Sequence, residues 1–133
     1  HQAVKDEALK NAALFRQFTP DFTHCIQLVM EEKKISIQDI ADDTKLNRDT
    51  VSNILHRKTQ PEKMSLALIC ISLRITYNMS MHIMENGNCK LAFVNEDEIM
   101  IDTALAACAG QTGREFRSFL RPFIKDEKIK KFL

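Results

Sequence analysis

The chain has 133 residues and a formal net charge of +1. This length suffices for one domain with its own core, or for a small domain with an appendage. Three glycines, three prolines and the lack of a long alternating run favour an all-α fold. Because the sequence has no membrane-length apolar run and no signal peptide, we expect a soluble, cytoplasmic protein without membrane contact.

The first predicted helix covers residues 4–18 and is amphipathic. Val4, Ala8 and Phe15 lie on one side, and charged residues face elsewhere. We expect this apolar stripe to dock on the rest of the domain. The alternative is that it packs against a partner chain or an upstream domain, since the chain begins with His1 rather than Met. Thr19-Pro20-Asp21 then breaks the helix.

Residues 35–56 contain two short helices in close succession. Ser36 can cap the first helix and Asn47 the second, and apolar residues follow each cap at helical spacing. The inward residues are Ile37, Ile40 and Ala41 in the first helix, and Thr50, Val51, Ile54 and Leu55 in the second. With about three residues between them, such helices pack at a steep angle around a small shared core. This is the layout of a helix-turn-helix.

Three further helices are predicted around this pair. Residues 22–34 form a helix that precedes it, and Pro61 is expected in the first turn of a helix that follows it. Residues 64–73 are apolar almost all round, which is typical of a buried helix. Residues 77–86 form the next helix, and we expect Gly87 to be its left-handed cap.

The C-terminal part contains two more predicted helices and a lysine-rich tail. Asn95 with Glu98, and Thr112 with Glu115, match the capping-box pattern. The helices after these caps are expected over residues 99–109 and 114–120. They either cover the core or carry a dimer contact, and the sequence leaves both alternatives open.

Positive charge is concentrated on the second helix of the pair and on the residues that follow it. Residues 45–63 carry a net charge of +3, from five basic and two acidic side chains: Lys45, Arg48, Arg57, Lys58 and Lys63 against Asp49 and Glu62. This is where nucleic-acid phosphates would lie. The alternative is that these charges only solvate a surface.

The four cysteines, Cys25, Cys70, Cys89 and Cys108, are far apart and lack Cys-x-x-Cys spacing. We expect them to be free, buried side chains in a reduced cytosol. A zinc site needs clustered ligands, and His24, His56 and His82 do not supply them. We therefore expect no metal and no cofactor.

The helix pair resembles the DNA-binding domain of the phage-repressor and Cro-like family, also called the xenobiotic-response-element family. The matching residues are Ile40-Ala41, Leu46, Thr50-Val51-Ser52 and Ile54. The family usually has Gly in the turn, and Lys45 in the same left-handed conformation would cost about 1 kcal/mol. The resemblance implies a five-helix repressor-like DNA-binding domain over residues 21–91, with an extra N-terminal helix (1–20) and accessory C-terminal helices (92–133).

In that family the second helix of the pair lies in the major groove. The resemblance therefore implies base contacts from its outward residues, namely Asn47, Arg48, Asp49, Ser52, Asn53 and His56. Arg48 suits guanine, Asn53 adenine and Asp49 cytosine. Phosphate contacts are expected from Ser36, Lys45, Arg57, Lys58 and Thr59, and from backbone N–H groups at the two helix starts.

These features predict a sequence-specific DNA-binding transcriptional regulator, specifically a bacterial or phage repressor. A unit this small makes few contacts, so we expect a homodimer on a palindromic site of double-stranded DNA. The alternative is a helical protein-interaction or regulatory module of a larger protein that does not bind DNA, which the weak total charge favours. We do not expect an enzyme, because the sequence has no glycine-rich phosphate loop and no nucleophile elbow.

Overall fold

The computed structural model describes residues 1–133, and all of its regular structure is helical. The helices are α1 (Gln2–Phe15), α2 (Phe22–Lys33), α3 (Ile37–Thr44), α4 (Arg48–Leu55), α5 (Lys63–Ser72), α6 (Tyr77–Asn86), α7 (Glu96–Ala107), α8 (Gly113–Leu120) and α9 (Glu127–Lys130). The predicted all-α fold is therefore confirmed. A membrane-spanning helix is not among them, since none has the required length together with the required apolar character.

Helix α5 lies at the centre of the core. Every residue from Met64 to Ser72 is buried, as the apolar run predicts. Helices α3, α6, α7 and α8 all pack against α5. The buried apolar side chains of these helices form one continuous cluster, so the helix-turn-helix and the C-terminal helices share a single core.

Polar caps define most of the helix starts. Ser36 and Asp39 form a reciprocal capping box at α3, and Thr112 and Glu115 form another at α8. At α7 the predicted box is wrong. The Asn95 side chain accepts hydrogen bonds from the first turn, but Glu98 instead accepts from the Ala92 N–H at 2.6 Å.

Two expectations at the ends of α5 and α6 are also wrong. Helix α5 begins at Lys63 with Glu62 as its cap, so Pro61 precedes the helix. Gly87 has a φ of −86°, and the left-handed residue is Asn88, with a φ of 57°. Gly87 is needed for space instead, because a Cβ there would lie 2.6 Å from Leu66 Cδ2.

Helix α1 is buried against the core only near its C-terminal end, at Asn11 and Leu14. Val4 is 71% exposed and Leu9 59% exposed, whereas Leu14 is buried. A salt bridge of 2.7 Å joins Glu7 to Lys33, whose side chain is 8% exposed and also donates to backbone carbonyls at the end of α5. The expectation that the whole stripe docks on the domain is therefore wrong for residues 4–9, because no other segment covers them.

Asp43, near the end of α3, joins the helix-turn-helix to the C-terminal helices. Its carboxylate accepts two hydrogen bonds from the Arg74 guanidinium, at 3.0 and 3.1 Å, and one from the Gly113 N–H at 3.2 Å. The Arg117 guanidinium donates to the Asp43 carbonyl at 3.0 Å. A Cβ at Gly113 would lie 2.2 Å from that carbonyl oxygen. Helix α8 is thus held in direct contact with α3.

Candidate nucleic-acid interface

The turn between α3 and α4 is held by local hydrogen bonds. Lys45 has a φ of 64°, as expected for a left-handed residue, and its N–H donates to the Ala41 carbonyl at 2.9 Å. The Thr44 hydroxyl donates to the Ile40 carbonyl at 2.7 Å and accepts from the Leu46 N–H at 3.2 Å. This role of Thr44 was not foreseen from the sequence. The turn therefore tolerates a non-glycine residue because its neighbours fix the backbone.

The inner face of α4 fixes the orientation of the helix. Val51, Ile54 and Leu55 are buried and belong to the same apolar cluster as Ile40 and Ala41 of α3. Because an α-helix advances about 100° per residue, burial of these three positions turns Asp49, Asn53 and His56 toward solvent.

All six residues of the expected base-reading set are accessible to solvent. Asn47, Arg48, Asp49 and His56 are exposed, whereas Ser52 and Asn53 are partly buried. The Asn47 side chain caps α4 by accepting from the Asp49 N–H at 2.8 Å. The Asn53 amide makes no hydrogen bond within the chain, so both its donor and its acceptor are free.

Arg48 is positioned by a side chain that sequence reasoning missed. Its Nη1 donates to Gln38 Oε1 at 3.3 Å, and Gln38 Nε2 donates to Asp42 Oδ1 at 2.8 Å. Gln38 and Arg48 belong to different helices, so no periodicity in the sequence indicates this contact. The Arg48 guanidinium keeps most of its donors free.

His56 folds back on its own helix. Its Nδ1 lies 2.8 Å from the Ser52 carbonyl oxygen and 3.3 Å from Ser52 Oγ. Because a carbonyl only accepts hydrogen bonds, this contact requires the proton on Nδ1, which leaves Nε2 of a neutral ring as an acceptor facing solvent.

The side chains expected to contact phosphate differ in how free they are. Lys45 and Lys58 are exposed and form no salt bridge, and Thr59 is exposed. Arg57 instead pairs with Asp21 at the start of α2, and its Nε donates to Thr23 Oγ1 at 3.2 Å. Burial raises the pKa of Asp21, but hydrogen bonds to Thr23, His24 and Arg57 outweigh it and lower the pKa overall. The charge of Arg57 is therefore partly neutralised inside the chain.

Ser36 is occupied by its own capping box. Its hydroxyl accepts from the Asp39 N–H at 3.0 Å, and its N–H donates to the Asp39 carboxylate at 2.8 Å. That backbone hydrogen bond lowers the pKa of Asp39, so the carboxylate stays ionised at the start of α3. A phosphate that approached Ser36 would meet this negative charge.

A family model described as a Cro/C1-type HTH DNA-binding domain matches residues 26–77. The match spans most of α2, all of α3, α4 and α5, and the first residue of α6. No curated protein and no solved structure matches the chain. The matched family is one of DNA-binding regulators, not of enzymes. Residues 26–77 are therefore similar to a Cro/C1-type helix-turn-helix DNA-binding domain, and this similarity supports a DNA-binding regulator.

Proposed function

We propose that the protein is a sequence-specific transcriptional repressor of bacterial or phage type that reads the major groove with α4. The observation that carries this proposal is the outward face of α4, where free polar side chains stand on a helix whose opposite face is buried. A helix of this kind is rigid enough to present its side chains to base edges without a large ordering cost.

The base contacts follow from the donors and acceptors on this face. Arg48 offers two parallel donors to guanine O6 and N7, and the free Asn53 amide offers a donor and an acceptor to adenine. Asp49 can accept from the amino group of cytosine. Asn47, Ser52 and His56 are placed to contribute at the edges of the same surface.

The phosphate contacts rest on the free cations that flank α4. Lys45 precedes the helix, and Lys58 and Thr59 follow it, so the two lysines lie at opposite ends of the reading surface. Arg57 contributes less because Asp21 neutralises it, and Ser36 less because of Asp39. Lys45 and Lys58 should therefore dominate the salt dependence of binding.

We expect two copies of the chain to bind one palindromic site, with their α4 helices about 34 Å apart. Two of the exposed apolar regions of the chain are candidates for the dimer surface. One contains Val4 and Leu9 of α1, and the other contains Ile99 and Phe123 near α7 and α8. Light scattering on the purified protein tests this expectation.

The test of the function starts with selection of bound sequences from a randomised duplex library, followed by fluorescence anisotropy on the selected site. We expect R48A and N53A each to relax the preference at one base pair, at a cost of about 1 to 3 kcal/mol on the preferred site. K58A should weaken binding to all sequences alike. K5A, in the exposed part of α1, is the matched control and should change neither the base preference nor the affinity. Selection of no sequence, together with no binding to any duplex at low salt, would refute the proposal.

The second candidate function is a protein-interaction module, and the uncovered apolar residues of α1 favour it. In this case a stoichiometric protein partner would bind through Val4 and Leu9, and the protein would not respond to DNA. The double substitution of Val4 and Leu9 by serine separates the two candidates. The substituted chain should still bind a single DNA half-site, but it should no longer form the protein complex.

A further inference from the structure

The C-terminal end of the chain lies beside the turn of the helix-turn-helix. Lys131 and Phe132 line a cleft of about 380 Å³ together with Lys45 and Asn47. The remaining lining residues are Thr44, Leu46, Thr50, Glu62 and Ser65. The cleft therefore joins the reading helix to a segment that lies outside the matched domain, residues 26–77.

This C-terminal segment is held in place by specific contacts. The Arg121 guanidinium donates to the Leu133 carbonyl from Nε at 2.9 Å and from Nη2 at 2.7 Å. Ile129 and Phe132 are partly buried and pack against the core. These contacts hold the backbone around Lys131 beside the cleft, and the Lys131 side chain remains exposed, with its Nζ 5.1 Å from the centre of the Phe132 ring.

The charges that line the cleft suit an anion. Lys45 is unpaired, and the only acidic side chain in the lining is Glu62, whose Oε1 lies 3.4 Å from Lys131 Nζ. Both members of this pair are more than half exposed, so water and salt screen their attraction. A phosphate can therefore replace Glu62 as the partner of Lys131 at little cost.

We propose that Lys131, together with Lys45, binds the phosphate backbone of the same duplex that α4 reads, so that the C-terminal segment extends the DNA interface. This proposal rests on the proposed function, since it requires α4 to lie against DNA. It adds a phosphate contact from outside the helix-turn-helix, on the side of the α3–α4 turn.

The test uses fluorescence anisotropy with a labelled random-sequence duplex of about two helical turns, at a series of KCl concentrations. Removing one phosphate contact should make the plot of log binding constant against log salt concentration less steep by about 0.9. This change corresponds to about fivefold weaker binding at about 0.15 M salt. We expect K131Q to show this loss. K125Q is the matched control, because Lys125 belongs to the same segment but pairs with Glu96 at a different surface.

E62Q provides the opposite change, since it removes the acid that competes with phosphate for Lys131. It should strengthen binding by about twofold or more in the wild-type background and by less in the K131Q background, where no Lys131 remains for which phosphate and Glu62 compete. Equal slopes for the wild type, K131Q and K125Q would overturn the proposed extension and leave the proposed function standing. Absence of salt-dependent binding by the wild type would overturn both.

Discussion

Replacement of Asp43 by alanine should destabilise the protein more than any other single change on the surface of α3. The substitution removes the carboxylate that accepts from Arg74 at 3.0 and 3.1 Å and from the Gly113 N–H at 3.2 Å. These contacts join α3 to the end of α5 and to the start of α8. The expected result is a looser attachment of the C-terminal helices and a lower free energy of unfolding.

The magnitude follows from the number of contacts and their exposure. A hydrogen bond to a charged group contributes about 1.5 to 3 kcal/mol. The side chains of Arg74 and Asp43 are 31% and 20% exposed, so water replaces part of what is lost. Arg74 also keeps its hydrogen bond to the Ile71 carbonyl at 2.8 Å. We therefore expect a total loss of about 3 kcal/mol, or about 10 °C in Tm for a chain of this size.

Urea unfolding followed by circular dichroism measures this loss. D43N keeps an acceptor oxygen without the charge and should lose about half as much. D42A is the matched control, because the neighbouring Asp42 is exposed and bonds only to Gln38, so its change should stay within about 0.5 kcal/mol. If D43A and D42A unfold at the same urea concentration, the assigned role of Asp43 is wrong.

Two further predictions concern close packing and the thiols. G113A should lower the free energy of unfolding by about 2 kcal/mol or more, because its Cβ would meet the Asp43 carbonyl oxygen. G110A should lower it by only about 1 kcal/mol, because Gly110 has a φ of 83° but lies in open space. The reverse order in urea unfolding would contradict the packing of α8 on α3. Burial raises the pKa of Cys70 to about 12 and also raises the pKa of the Cys25, Cys89 and Cys108 thiols. All four should therefore react with a disulfide reagent at neutral pH only as fast as the protein opens, and rapid labelling of any one of them in the native protein would show that it is accessible.

The features that the sequence predicts correctly are local ones. The caps at Ser36, Asn47 and Thr112 depend on residues within one helical turn. The apolar run in α5 requires burial whatever surrounds it. These properties can be found from spacing and residue type alone.

The features that were missed depend on tertiary packing. Gln38 positions Arg48, and Asp21 neutralises Arg57, across pairs of separate helices. The same applies to Lys131, which approaches the helix-turn-helix only because the C-terminal segment folds back onto it. Periodicity indicates which residues share a face, but it does not show what covers that face. For this reason the sequence left open whether the apolar stripe of α1 docks on the domain or on a partner.

The most direct test of the central claim is an NMR titration of the isotopically labelled protein with its selected duplex. If α4 reads the major groove, the largest amide shifts should fall in residues 45–59, with a second group of shifts around Lys131. Residues of the first half of α1 should then shift little. Shifts confined to α1, or to the outer surface of α7 and α8, with residues 47–56 unchanged, would contradict the account.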